Sequence, residues 1–587
     1  MTLRDLLTRR NLIAGCCVLL GALVVGGYFL FRRAPRVRME TYVPANVLAF
    51  VQIDSLADLV DGLTHTRAWR ELAPVLGISS QLRQVGTVAD LIGRSGLGPD
   101  EAVVAGRAQF AIAVTGIQSQ AGETDEGTFI HLKPLFCIII ETHMGPGTAA
   151  RLVRDRASII AERIYGGSVT EHSDSYQGSA MRVFEGPGAG HQLIVSSAGS
   201  VILLANHKDA AAVCLDTIAG RTTALEQDET LHARKPEVGA DPAVFAYVTS
   251  SGIERLFEIW PVLIAGTRAE PESVSALADL IEHIAKQSGA VLFYSLGFQG
   301  DGVTERYLTL LRPEIAEALI EPLKATSQAS FQSLALVPRE VESLTLLSAA
   351  DAVELPERLL KHLSPTVDVV AGMALREFVI NLKKQYGLDP KDALGDALDS
   401  EIVFVDLGDQ QPRAMLIKVN DRSRVMPRAN AYVGKGAPVN SEQYEGTEIL
   451  VASGNERRAA AFVGDYLVLG TRYQVIKIID TYSGHQGEDG DQRIKEMLSA
   501  RPADASIVSY RPGAEDAGKL LLAISKLTRS TDGSPELLNE DPARKALERL
   551  PRSISFTTFR DYGVFIETNS AVGNLSAIGA LIGTDEK

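Results

Sequence analysis

Ten histidines, four cysteines, two glycine-rich turns and an acidic cluster are the residues of this 587-residue chain whose types suit chemistry. The histidines stand at 65, 131, 143, 172, 191, 207, 232, 283, 362 and 485. No two are four apart, the spacing that puts two imidazoles on one helix face around a metal. They read as loop and surface histidines.

The run 186–190, Gly-Pro-Gly-Ala-Gly, superficially suits a phosphate. A phosphate loop needs a helix N-terminus after it. Here Gln192, Leu193, Ile194 and Val195 follow in a strand pattern, so a hairpin turn is expected. Gly93, Gly96 and Gly98 lack the lysine and hydroxyl residue of a nucleotide-binding loop. Glu488, Asp489 and Asp491 lack the alternating ligands and distal glutamate of a calcium loop. They read as a solvated acidic loop, as does 123–127. Ser525-Lys526 lacks the spacing of acyl-serine enzymes, and there is no Gly-x-Ser-x-Gly elbow. Trp69 and Trp260 lie in amphipathic stretches and read as packing residues. No catalytic, cofactor-binding or metal-ligating residue is assigned. No cofactor is expected, and the chain is read as not an enzyme.

The elements around these residues explain where the cysteines fall. Cys16 and Cys17 lie within an uncharged, mostly apolar run at 12–31. At about 1.5 Å per residue, a helix of that length spans roughly 30 Å, the hydrocarbon thickness of a bilayer. A retained membrane anchor is expected there. Two competing readings are a lipobox at Ile13-Ala14-Gly15-Cys16 and a twin-arginine export signal at 8–13. The lipobox match stands too close to Arg10. Arginines flank the run on both sides, at 4, 9 and 10 and at 32, 33, 36 and 38. An N-terminal anchor of this kind usually exports the chain beyond it, so the body is placed outside the cytoplasm. Cys137 and Cys214 sit in apolar strand-like and helix-like runs and read as core residues. A disulfide between them is one alternative outside the cytoplasm. Neither belongs to a C-x-x-C pair.

Residues 1–38 hold seven arginines and one aspartate, so the remainder carries a net charge of −21. Such a field argues against nucleic acid or anionic lipid as the main partner.

The body reads as written twice. Val43-Pro44 before an apolar strand recurs as Val337-Pro338, and Gly96–Ala102 recurs as Gly387–Ala393. Tyr176-Gln177-Gly178 recurs as Tyr444-Glu445-Gly446. A glycine-led strand and helix beginning at Gly199 recurs at Gly464. A closing strand, helix and hairpin runs through 244–248 and 292–294, then through 506–510 and 554–556. Within a copy the strand 47–53 leads to Ser55, an N-cap type, and to Leu56, Leu59, Val60 and Leu63 on one helix face. Runs of hairpin strands with few helices favour antiparallel sheet with packed helices.

Pro44-Ala45-Asn46, Phe50-Val51 and Asp54-Ser55-Leu56 resemble the opening of a group of bacterial membrane-anchored extracytoplasmic proteins of unknown function. The second copy departs from it, with Ser348-Ala349-Ala350 in place of the aspartate. The resemblance implies an extracytoplasmic α+β module and supplies no catalytic residues.

The sequence therefore predicts an α+β fold: a tail and single transmembrane helix in 1–38, then two tandem modules at 39–330 and 331–587. The expected function is a non-enzymatic scaffold or binding protein of the bacterial inner membrane, with its body on the periplasmic side. It would be an accessory subunit of a larger membrane complex, with the bilayer and a protein as partners. The alternatives are a module for an apolar ligand or lipid, and an enzyme with a dispersed site.

Overall fold

The computed structural model describes residues 36–76, 106–124, 127–166, 169–187, 191–265, 287–324, most of 332–484 and of 499–522, and 540–574. Among the described residues twenty strands form one sheet. In the first half they are β1 Ala49–Ile53, β2 Gln109–Thr124, β3 Gly127–Glu141, β4 Thr170–Tyr176, β5 Ser179–Glu185, β6 Gln192–Ala198, β7 Val201–Ala205, β8 Val244–Val248, β9 Val291–Gln299 and β10 Gly302–Leu310. In the second half they are β11 Ser343–Ser348, β12 Leu398–Asp406, β13 Ala414–Val419, β14 Val439–Tyr444, β15 Thr447–Ala452, β16 Arg458–Val463, β17 Tyr466–Thr471, β18 Ala505–Arg511, β19 Ser553–Arg560 and β20 Gly563–Ser570.

Every pairing is antiparallel. From one edge the order is β4, β5, β6, β7, β3, β2, β1, β8, β9, β10. It continues β20, β19, β18, β11, β12, β13, β17, β16, β15, β14. The second series is the first run backwards, so the two halves are related by an approximate two-fold axis between β10 and β20. At about 4.8 Å per strand the path along the twisted sheet from β4 to β14 is roughly 90 Å.

This corrects the expected architecture in two respects. The halves are not two modules with a sheet each, because β10 pairs with β20 from Val303↔Ser570 to Leu310↔Gly563. Each half ends in a hairpin whose last strand would otherwise expose unpaired N–H and C=O groups, and pairing the two edges satisfies both. A shared core reinforces the join. Trp69 and Leu72 of the first half pack with Leu521, Ala546 and Val572 of the second. Secondly, among the described residues no helix is long and apolar enough to cross a membrane. The transmembrane helix expected at 12–31 lies outside the described residues, as do Gly96–Ala102 and its counterpart.

The local elements follow from the sequence. Ser55 Oγ accepts from Asp58 N at 3.0 Å and caps α1 Leu56–His65, which leads into α2 Arg67–Leu72. Leu59 and Leu63 pack into the shared core. After β7 comes α3 Lys208–Ile218, and after β17 comes α4 Arg472–Ser483, the latter closed by a Thr471–Gln474 capping box. A last helix, α5 Asp541–Glu548, packs against α2 across the join.

The hairpins at 176–179 and 444–447 show how closely the halves agree. Gln177 and Gly178 have φ of 50° and 84°; Glu445 and Gly446 have 47° and 76°. Two successive positive φ values make a turn whose twist suits a two-residue hairpin. Tyr176 Oη donates to Asp216 on α3 at 2.8 Å, and Tyr444 Oη donates to Asp480 on α4 at 2.8 Å. Tyr176→Phe and Tyr444→Phe are each expected to lower the denaturation midpoint slightly and by similar amounts. Unequal losses in urea melts would show that the two turns are not energetically equivalent.

Candidate functional site

The residues singled out by type are scattered over the fold. His65 Nδ1 lies 2.7 Å from the Asp61 carbonyl, His191 stacks on Tyr165, and His207 caps α3 by accepting from Asp209 N. Among the described residues no three His, Cys, Asp or Glu side chains are grouped to hold a metal. Gly186 follows β5 and its N–H donates to His191 O, with Glu185 opposite Gln192, so this glycine sits in a β5–β6 connection. The glycines at 93–98, the acidic loop at 488–491 and Ser525-Lys526 lie outside the described residues. Cys137 on β3 and Cys214 on α3 are free, fully buried thiols. The neighbouring Cys214 thiol and burial together push the Cys137 thiol well above its ordinary pKa. Trp69 is buried, and with Leu63, Leu72, Leu520 and Leu521 it lines a cavity of about 10 Å³, too small for a ligand.

Polar side chains converge where sequence spacing gave no hint of it. Glu40, 3% exposed, forms an ion pair with Lys235. Lys235 Nζ also lies 3.3 Å from Gln52 Oε1 and 4.4 Å from the centre of the Phe245 ring. Gln52 donates to Asp54 at 2.5 Å, and Gln109 donates to the same oxygen at 2.7 Å. Gln109 also holds both backbone groups of Val37, at 2.7 and 3.0 Å. These residues come from segments up to about two hundred positions apart, so no motif could have announced them.

A second convergence marks the join. Arg306 Nε donates to Glu567 at 2.8 Å across β10 and β20. The β9–β10 hairpin pairs Gln299 with Gly302, and the β19–β20 hairpin pairs Arg560 with Gly563. Counting on from those glycines, Arg306 and Glu567 are equivalent residues. They are also directly opposite each other, so the approximate axis passes between them. Two copies of either half pairing through this strand would put like charges in contact, which is unfavourable.

On the opposite face Tyr294 donates to Glu305 at 2.6 Å, and Asn574 N donates to the same oxygen at 2.9 Å. Burial first, and then the Glu305 charge, push both Tyr294 and Tyr307 above the ordinary phenol range. Both phenols therefore stay protonated. Glu237 receives bonds from Arg234 and Tyr562. Burial acts to raise its carboxyl, but those bonds outweigh it and hold the pKa below 4.5. A lowered folded pKa contributes stability above the unfolded value that is lost as the pH falls through the folded one. Glu237→Gln should therefore flatten the fall in stability on acidification below pH 4.5. An unchanged acid limb would count against this role.

These clusters tie neighbouring elements of the body together. The β2–β3 hairpin is different. β1 pairs with β2 only as far as Val114, and β7 pairs with β3 only from Cys137. Beyond that, the ladder from Gly116↔Leu135 to Thr124↔Gly127 pairs with no other strand among the described residues. The acidic stretch expected as a loop at 123–127 thus has strand up to Thr124 and again from Gly127. Residues 125–126 lie outside the described residues. In the second half β12 ends at Asp406 and β13 starts at Ala414, with no overhang described. No protein-family model matches the chain, no curated protein matches it, and no solved structure matches it.

Proposed function

We propose that the chain is a non-enzymatic binding scaffold that presents the β2–β3 overhang to a protein partner. The observation that carries this is the overhang itself. Its strands pair with each other, and among the described residues no other strand takes up their outward backbone groups, although near its base Ile117 O accepts from Arg255 and Pro134 O from Asn206. Such an edge is a template for an added strand from another chain. The second half builds the same strand order without the overhang, so the fold does not require it. The proposal includes attachment to a bilayer through residues 12–31, with the body outside the cytoplasm in an accessory role to a larger membrane complex. The length and apolar character of that segment support the attachment.

The test is purification of the tagged full-length protein in mild detergent, followed by mass spectrometry. It is run beside a variant whose residues 117–133 are replaced by a short turn. The scaffold reading expects a reproducible partner that the shortened variant loses. An identical set from both proteins contradicts the overhang's role. A co-purified apolar molecule in place of a protein would favour a ligand-binding module.

A further inference from the structure

The segment after 12–31 is held tightly by the body. Arg36 pairs with Asp241 and lies 3.6 Å from Asp58. Val37 is gripped through both backbone groups by Gln109. Met39 and Val43 are fully buried, and between them Glu40 is locked to Lys235. Tyr42 donates to Glu141 at 2.8 Å. Val43 O accepts from Leu225 N at 2.7 Å, and Ala45 N donates to Thr223 O at 2.9 Å. From Arg36 to Ala45 the chain is part of the folded body.

Only residues 32–35 separate this segment from 12–31. Four residues reach at most about 14 Å. We propose that residues 36–43 are a rigid mount that holds one end of the sheet close against a lipid bilayer. This inference rests on the bilayer attachment proposed above. The mounted end is the one where β1 finishes at Ile53, β2 starts at Gln109 and β8 starts at Val244. The overhang leaves from the other end. From Gln109 to Thr124, at about 3.3 Å per residue, β2 runs roughly 50 Å away from the mount. The body therefore does not swing on a leash: the Asp58–Asp241 end faces lipid headgroups and the overhang tip is held far from them.

The test labels the full-length protein with an environment-insensitive fluorophore at Ala240→Cys, an exposed residue beside Asp241, or at Thr124→Cys. Cys16 and Cys17 are replaced by alanine, while Cys137 and Cys214 are buried from the label. The protein is reconstituted into phosphatidylcholine vesicles carrying a minor fraction of headgroup-quencher lipid. The mount predicts that position 240 loses most of its fluorescence and position 124 loses none. A long Gly-Ser linker inserted between Pro35 and Arg36 leaves the packed residues untouched and should restore the signal at 240. Equal quenching at both positions, no quenching at 240 in vesicle-bound protein, or no effect of the linker overturns the mount. Protein that fails to float with the vesicles overturns the attachment itself, an outcome separable from the others.

Discussion

Lys235→Met is expected to destabilise the fold by about 3–5 kcal/mol, the cost of removing one partner from a buried ion pair. The carboxylate left behind belongs to Glu40, which is 3% exposed. One of its oxygens, Oε2, already lacks a hydrogen-bond partner. Methionine keeps most of the side-chain length that lies over Phe245, so the loss reports charge more than packing. Adding Glu40→Gln should return much of the stability, because a neutral pair carries no unmatched charge. The check is urea denaturation of both variants. A single variant within about 1 kcal/mol of the parent would mean that water reaches Glu40 and that the first residues of the body are loosely held.

Arg306→Glu is expected to cost about 2–3 kcal/mol, since it replaces a half-buried ion pair by two like charges facing each other across adjacent strands. The reversed pair, Arg306→Glu with Glu567→Arg, should recover nearly all of that loss. The reason is geometric. These two residues are equivalent positions on either side of an approximate two-fold axis, so exchanging them reproduces the original contact turned about that axis. A double variant as unstable as the single would show that the surroundings of the two positions differ too much for the axis to matter.

How much of this could be read from the chain depended on range. Local signals were legible. Ser55 caps its helix, and Cys137 and Cys214 lie in buried elements. The two Tyr-x-Gly turns come from residues adjacent in sequence whose backbone conformations are set locally. The joining of two halves into one sheet was not legible. It depends on β10 meeting β20 some two hundred and sixty residues later, and nothing in either hairpin alone says which edge it will find. The polar clusters were missed for the same reason. Gln109 is an ordinary glutamine until folding brings it beside Val37 and Asp54. The overhang reads as an acidic loop because Glu123, Asp125 and Glu126 cluster at its tip and the flanking Gln118-Ser119-Gln120-Ala121-Gly122 carries no apolar alternation. Strand register, not composition, reveals it.

The most direct measurement is photo-crosslinking in cells from a reactive residue placed at Gly122 in the overhang, with Ser173 on the outer strand β4 as the comparison. Among the described residues both positions lie on strands with an open side. The scaffold account predicts one reproducible protein adduct from Gly122 that is absent from Ser173. No adduct from Gly122, or the same adducts from both positions, would contradict it.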